Sequence, residues 1–493
     1  SALTEREHAI YEDDLDRRRA EVEPASYYGT MRVQKEFNGG RQGLGFIVTS
    51  VFRNFQDDSI RDLLSRSAAS FGIDGWASLT RNRSWVVSGW LGATQIAGSK
   101  TSISRLQSSY LHYFQRPDVK YVSFDRNATS LNGWAGRLYL TRQGRRFIFN
   151  ASVNAVSPGF DVSDLGYQDV RDSLQGHIQA GYDSPYPGKV FREWHMVAGT
   201  ARRYDFGGNK NDDLAFINIG CQFLNYWEST LTLTHRPDRW THDLTRGGPL
   251  VKNPSFSRVD WLLNSDDRKP WILALAGSFY KGSAGDKGWS INVELRWNPG
   301  SNINLSIGPF YGFGFTSVQW IRQVDDAEMT ATFGTRYVFG ELHQKIALMN
   351  FRINWIFTPR LSLQAFIQPF IGVGAYDRFK ELARPKSYDF HVFGEGMSTL
   401  RVENGIYTID PDSAGPSPSF SFSKPDFNYK SLRGTVVLRW EYRPGSVLYL
   451  VWTQNRTDYS NPGVFQFGRD VSRLFHAPGN NIVMLKFSYN FNL

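Results

Sequence analysis

The sequence predicts an all-β chain: a single transmembrane, antiparallel, up-and-down β-barrel of about 22 strands, with roughly 18 to 24 compatible with the spacing. Three observations lead there. Apolar and polar residues alternate strictly over long stretches, the period-2 mark of strands with one apolar face. Aromatics make up 15% of the 493 residues, yet 21% are charged and the mean hydropathy is -0.40, so apolar and polar positions are interleaved rather than blocked. Short Gly/Pro turns alternate with long polar loops, which is how an outer-membrane barrel distributes its periplasmic turns and extracellular loops.

Residues 1–26 fall outside the alternation. The run EREHAIYEDDLDRRRAEVEP, Glu5 to Pro24, carries charges of both signs and reads as a charged N-terminal segment: a helix, a linker or a lumenal plug. Residues 27–493 read as the barrel. Tyr27 to Phe37 forms a descending strand into a Gly39-Gly40 turn, and WAGRLYLTRQGRRFIFNASVNA forms a hairpin turning at Gln143-Gly144.

The clearest hairpin is GWSINVELRWNPGSNINLSIGP. Trp289, Ile291, Val293, Leu295 and Trp297 share one face and Ser290, Asn292, Glu294, Arg296 and Asn298 the other, with a turn at Pro299-Gly300. ALMNFRINWIFTPRLSLQAFIQ repeats the rule around Thr358-Pro359. RWEYRPGSVLYLVWTQ, Arg439 to Gln454, turns at Pro444-Gly445, but its return strand leaves Val447, Tyr449 and Val451 competing with Leu448, Leu450 and Trp452 for the apolar face. Long loops fall near 54–67, 98–130, 237–254, 377–429 and 456–480. The final stretch alternates from Val483 to Leu493, in the manner of a last strand read by the barrel-assembly machinery. Counting gives roughly 21 strands where an even number is expected, so an upward partner of Tyr27–Phe37 lies before residue 1 or inside the 98–130 loop.

In hydrocarbon every backbone polar group must be paired within the protein, so a sheet crosses only when closed and apolar outside. A charge facing lipid at the midplane costs roughly 2–4 kcal/mol, which assigns Glu294, Arg296, Arg352, Arg433, Arg439 and Glu441 to the lumen. Their mixed sign suits cross-strand charge ladders better than a single-sign filter. No apolar run approaches the length of a membrane helix. Cys221 is the single cysteine, so neither a disulfide framework nor a thiolate metal cluster exists. The net charge of +9 is spread without a basic block, so nucleic acid is not expected as a partner. The sequence starts at Ser1 without the pattern of an export leader, so any such leader is expected to have been removed.

No HExxH, CxxC, P-loop or GxSxG motif occurs, and no cofactor or enzymatic activity is expected. His177, His195 and His235 are the strand-embedded histidines near acids or hydroxyls, the material a barrel-rim site would need. DFGGNKNDD offers Asp205, Asn209, Asn211 and Asp213 as a weak calcium-loop candidate without the spacing of an EF-hand. The 377–429 loop contains an Asn404-Gly405 hairpin and the Pro/Ser-rich SAGPSPS, and a loop of that length is expected to constrict, cap or bind.

Four stretches, SPGFDVSDLGY at Ser157–Tyr167, TRGGP at Thr245–Pro249, FTPRLSLQAFIQPF at Phe357–Phe370 and RWEYRPGS at Arg439–Ser446, carry a family resemblance. Together they resemble an uncharacterised family of large bacterial outer-membrane β-barrels, commonly fused behind an N-terminal carbohydrate-binding-like β-sandwich domain. The resemblance implies fold and location from about Tyr27 onward, and brings no catalytic residues with it. It leaves no room for the sandwich domain before residue 27.

The expected function is that of a bacterial outer-membrane channel or export/translocation pore, gated or plugged by inward loops. Outer-membrane lipid, lipopolysaccharide, the barrel-assembly machinery and other envelope proteins are the expected partners. Two rivals remain open: a non-conducting structural or assembly partner anchoring a cell-envelope complex, and a barrel-rim hydrolase.

Overall fold

The computed structural model describes residues 1–13, 16–144 and 146–491. The alternating sequence folds almost entirely into strands. The chain opens with β1 (Ala2–Thr4), β2 (Glu7–Asp13) and β3 (Asp16–Glu23). Then come β4 (Ala25–Phe37), β5 (Gln42–Asn54), α1 (Asp58–Arg61), β6 (Ser67–Ser78), β7 (Trp85–Ala97), α2 (Lys100–Ser108), β8 (Ser130–Arg142) and β9 (Phe147–Val156). β10 (Ser173–Ser184), β11 (Phe191–Tyr204), β12 (Lys210–Phe223) and β13 (Glu228–Arg236) follow, with the short β14 (Arg239–Thr241) and β15 (Val251–Asn253) in the next loop. The middle of the chain forms β16 (Phe256–Asn264), β17 (Trp271–Gly282), β18 (Lys287–Gly300), β19 (Ile303–Asp325), β20 (Thr335–Thr358) and β21 (Leu361–Leu382). One long loop holds β22 (Phe390–Val392), β23 (Thr399–Glu403), β24 (Ile406–Asp410) and β25 (Phe420–Ser423). The chain closes with β26 (Phe427–Arg443), β27 (Ser446–Asp458), α3 (Phe467–His476) and β28 (Gly479–Ser488).

One antiparallel sheet of 21 strands dominates. Nineteen of them, β4–β13, β16–β21 and β26–β28, pair each with the next in sequence. β1 and β22 are short additions to β4 and β21. Residues directly opposite in such ladders point to the same face. One row therefore runs Trp271, Trp297, Leu305, Ile353, Ala365, Val436, Trp452 and Val483, apolar throughout. The adjacent row on the other face is mixed: Ile272, Arg296, Ser306, Arg352, Phe366, Thr435, Thr453 and Ile482.

Register resolves the return strand of RWEYRPGSVLYLVWTQ. Leu448 and Leu450 lie opposite Trp440 and Leu438, so Leu448, Leu450 and Trp452 take the apolar face, and Tyr449 lies opposite Arg439. The turn works because Gly445 adopts φ 77, where a side chain is strained.

Several expectations need correction. The charged N-terminal segment is not a helix: β2 and β3 form a hairpin, with Tyr11 opposite Arg18 and Ile10 opposite Arg19. Its anchor is Glu21, 4% exposed, which accepts hydrogen bonds from Arg6 Nε and from the backbone N–H groups of Gln56 and Asp57. The turn expected at Pro299-Gly300 lies at Ser301-Asn302, because Pro299 cannot donate to the ladder and the strand bulges between Trp297 and Gly300. The loop expected at 377–429 is shorter: β21 continues to Leu382, and β26 begins at Phe427. The loop at 98–130 holds α2 and no wall strand. The last positions of the closing alternation, Asn492 and Leu493, lie outside the described residues.

Strand direction sets the parity of the wall. β4 runs into the short turn at 38–41, and β28 ends opposite Val447, beside the short turn of β26 and β27, so both run toward the short-turn end. β4 pairs along its length with β5, and its other edge carries only β1, which runs the opposite way beside Ser26–Tyr28. β28 pairs with β27 alone among the described residues, and all ten of its residues are exposed.

β19, β20 and β21 run 23, 24 and 22 residues, against 14 for β18 and 17 for β26, and rise past the wall at the long-loop end. Their two faces carry the apolar cores. Tyr337 and Phe339 pack with Val251, Val318 and Leu382, while Val338 and Phe379 pack with Phe393, Ile409 and Phe422 of the small β23–β24–β25 sheet. That sheet is built on the Asn404-Gly405 turn, both residues at positive φ.

Candidate functional site: the loop layer at the wall's mouth

The polar face collects the charged residues expected there. Register places Glu294 and Arg296 on β18, Arg352 on β20, and Arg433 and Arg439 on β26 on the face opposite the apolar row. Glu441 follows Arg439 on the same face and pairs with it at 2.9 Å. Cross-strand ladders of these charges do not form: Arg296 pairs with Glu294 of its own strand at 3.5 Å, and Arg352 stacks over Phe366 at 4.7 Å. The clearest pair between strands on this face is Arg32 of β4 with Asp74 of β6.

The three histidines do not meet. His177 on β10 contacts Ser152 Oγ at 2.8 Å through Nδ1 and Asn150 through Nε2, while Arg137 donates to Ser152 at 3.3 Å. This serine–histidine–amide row sits mid-strand, with Ser152 paired to Tyr139 on one side and His177 on the other. The surrounding backbone N–H groups serve the ladder, so nothing there forms an oxyanion hole. His195 reaches Asn218 at 3.0 Å, and His235 reaches Ser257 at 2.9 Å on the opposite face of the sheet.

The four calcium-loop candidates do not converge either. Asp205 is occupied by Asn209, through the backbone N–H at 2.8 Å and the side-chain amide at 2.9 Å. Asn211 accepts from Arg203, and Asp213 pairs with Lys210 and Arg202. Both Asp205 oxygens, the Asn211 oxygen and one Asp213 oxygen already have protein partners, so these residues are engaged in a turn and its flanking strands.

What the fold does assemble is a layer of loops at the long-loop end. It begins beside β5, where Asp164 pairs with Arg53 at 2.5 Å and accepts from Ser65. Ser99, which caps α2, reaches Asp62 at 2.7 Å. The 157–172 loop lies directly on the polar face: Asp161 N–H donates to Thr94, and a methyl group on Gly133 would overlap Phe160. Here His112, fully buried, faces two acceptors, Pro158 O at 2.7 Å and Asp161 Oδ2 at 3.0 Å. Arg116 donates to Asp172 at 2.7 Å, and Tyr121 donates to the same oxygen at 2.5 Å.

The layer continues along the long-loop end of the sheet. Leu250 N–H donates to Asp118 at 2.8 Å, Lys386 N–H donates to Leu250 O at 2.7 Å, and Lys252 N–H donates to Ser387 O at 2.9 Å. Loops from β7, β9, β13 and β21 are thereby tied into one network. It ends in a buried ion triad, Arg336 with Asp326 and Glu381. Between Arg116, Asp172, Arg203, Asp205, Trp240 and His242 the layer keeps a polar cavity of about 120 Å³.

Burial and pairing set the electrostatics. Burial works to raise the Asp161 carboxyl, but hydrogen bonds from His112 and Ser163 outweigh it and hold it below the ordinary carboxylate range. Glu381 goes the other way, raised because burial outweighs Arg336. Burial also pushes the Tyr121 hydroxyl far up, so it stays a donor to Asp172.

Two of the stretches singled out in the sequence, Ser157–Tyr167 and Thr245–Pro249, lie inside this layer. Thr245 is fully buried, and Gly247 adopts φ 87 against Tyr113. The other two are wall hairpins.

Residues 93–492, covering the loop layer and most of the wall, match the family described as Domain of unknown function (DUF5916). The chain belongs to this family. DUF5916 thus spans the strands from β7 to β28, including every loop of the network except those before β7. No curated protein is similar in sequence. Among solved structures, the siderophore receptor PirA from Acinetobacter baumannii superposes with a TM-score of 0.38 at 8% identity, over 90% of this chain and 74% of the receptor. The FpvAI–pyocin S2 complex gives a TM-score of 0.38 at 10% identity, over 89% of this chain and 70% of the other. Superposition this loose leaves the ligands of those proteins without bearing on DUF5916.

Proposed function

We propose that the protein is an outer-membrane β-barrel that conducts or exports material across the bacterial outer membrane, with its mouth closed by the loop layer. The observation that carries this reading is the hydrogen-bonded network running from Asp164 to Lys386 over a sheet with one apolar and one polar face. Strands of twelve to fourteen residues, such as β6 and β11, are long enough to cross hydrocarbon at a tilt. The short turns then face the periplasm and the loops the outside. In this reading one ascending strand, continuing β1 downward, lies between β4 and β28, making the wall evenly stranded and antiparallel throughout. The barrel-assembly machinery and outer-membrane lipid are its partners.

The test is conductance in planar bilayers. The wild type is expected to conduct little, and replacing residues 393–424 by a short Gly/Ser linker is expected to raise conductance, since that segment covers Val338 and Phe379. The completeness of the loop layer favours a second reading, a non-conducting anchor for an envelope complex. Silence of the deletion variant, with co-purifying proteins, would select it.

A further inference from the structure

The apolar face of the wall is not left bare everywhere. Near the long-loop end the row Ile371–Lys430–Asp458 continues the apolar face, yet Lys430 is fully buried. The segment 459–478, with α3, covers it. Lys430 Nζ donates to Asp458 at 2.6 Å and to Ser460 O at 2.8 Å. Asn428, two residues away on the same face and 1% exposed, donates to Asn461 O, Val464 O and Asp470 Oδ1. Asp470 and Leu474 on α3 are fully buried against the wall. A surface loop is thus fastened to the outside of the sheet by buried polar groups, each of which would be costly without these partners.

The other side of α3 is left uncovered by the described residues. Phe467 is 59% and Phe475 51% exposed. Between them and the wall runs a groove of about 540 Å³, lined by apolar side chains that include Ile291, Tyr311, Met349, Ile371, Phe465 and Val471. Its floor passes through Val293, Pro309 and Phe351 without a break into the apolar face that the bilayer has to cover. Cations border it. Lys345 stands 6.0 Å from the Phe465 ring, and Arg456 donates to the carbonyls of Phe475 and Ala477. Neither has a carboxylate in ion-pair range among the described residues, whereas Arg469 and Lys430 are paired with Asp470 and Asp458.

We propose that this groove is a lipid site: an acyl chain of an outer-leaflet lipid lies between α3 and the wall, and its anionic head group meets Lys345 and Arg456. The assignment rests on the outer-membrane reading above. A second protein would need a boundary to the apolar area, and the groove has none toward the bilayer. A lipid needs only the continuity that is present, and cations without a carboxylate partner favour one whose head group is net anionic.

The experiment is photolabelling in proteoliposomes, with phosphatidylglycerol or phosphatidylcholine carrying a diazirine on one acyl chain, and peptide mapping of the adducts. The expected result is preferential labelling of 459–478 and of the facing strands by phosphatidylglycerol over phosphatidylcholine. Val471→Trp, which fills the groove while leaving Asp470 in place, is expected to cut that labelling several-fold. Lys345→Ala with Arg456→Gln, which keeps an N–H donor for the helix carbonyls, is expected to abolish the preference for the anionic lipid but not labelling itself. Equal labelling of α3 and the rest of the wall, unchanged by Val471→Trp, would overturn the site. Labelling of β6–β9 serves as the separate readout: its presence keeps the outer-membrane reading even where the groove fails, and its absence refutes both.

Discussion

Arg336 Nη1 lies 2.7 Å from both carboxylate oxygens of Glu381, and its Nε lies 2.6 Å from Asp326, with all three side chains at most 5% exposed. β20 and β21 are locked together by this triad where they rise above the wall and carry the small β23–β24–β25 sheet. Arg336→Met leaves two buried carboxylates facing each other and is expected to cost about 3–5 kcal/mol locally, the usual penalty for breaking a buried pair. Limited proteolysis of detergent-solubilised protein should then cleave within 393–424 while the wall stays intact. Adding Glu381→Gln should restore part of the resistance, because it removes the uncompensated charge that burial already disfavours.

Acid should loosen the layer at its other end. Asp161 titrates below its unfolded value because the hydrogen bonds from His112 and Ser163 prevail over burial. A carboxylate depressed in the folded state binds protons more readily when unfolded, so its contribution is present above the ordinary carboxylate range and is lost as pH falls through and below it. The depressed Asp326 adds in the same sense, while the raised Glu381 opposes. Conductance is expected to rise as the pH drops below about 4, where an ordinary aspartate protonates. Asp161→Asn should conduct more at neutral pH and show a flatter acid response. A wild-type acid response retained in full by Asp161→Asn would assign the effect elsewhere.

The wall was legible from alternation alone, because a strand's two faces are written into consecutive residues. Trp289 to Trp297 predicts its own faces, and the six charges from Glu294 to Glu441 fall on the polar one. Val447–Trp452 could not be divided that way, since both its faces are apolar. Only pairing with Trp440 and Leu438 decides it. The loop layer was not legible, because its partners are far apart in sequence: His112 and Asp161 by 49 residues, Arg116 and Asp172 by 56, Asp118 and Leu250 by 132. Nothing in FGRDVSRLFH says that α3 turns outward onto Asn428; that depends on a buried amide that alternation alone leaves inside the 377–429 loop.

The two faces can be distinguished at neighbouring positions. Val436 belongs to the apolar row, and Thr435 faces the other side. Val436→Arg is expected to lower the stability of the membrane-inserted protein by about 2–4 kcal/mol, the range for arginine at a lipid-facing midplane site. Thr435→Arg should cost well under that. Urea titration of folding into lipid vesicles measures both. Equal penalties would mean that the sheet does not present Val436 to hydrocarbon.

The last prediction concerns the two free edges. β4 and β28 run in the same direction, so direct closure would be a parallel pair in an otherwise antiparallel wall. β1 already occupies the free edge of β4 at Ser26–Tyr28 and runs the opposite way. A strand continuing along it would be antiparallel to β4, and in the closed-barrel reading also to β28, and would serve the N–H and C=O groups of residues 29–37 and β28 that lack a ladder partner among the described residues. Flanking strands are then separated by about 9.6 Å, two inter-strand spacings, which exceeds the Cα separation of about 4.4–6.8 Å that a disulfide bridges. In a Cys221→Ser background, cysteines placed in pairs at Met31, Val33 or Lys35 and at Val483, Leu485 or Phe487 should resist oxidative bridging in the native membrane. A bismaleimide about 10 Å long should link them, that length again being two strand spacings. A spontaneous disulfide between β4 and β28 would show that the wall closes through a parallel pair and that β1 lies outside the seam.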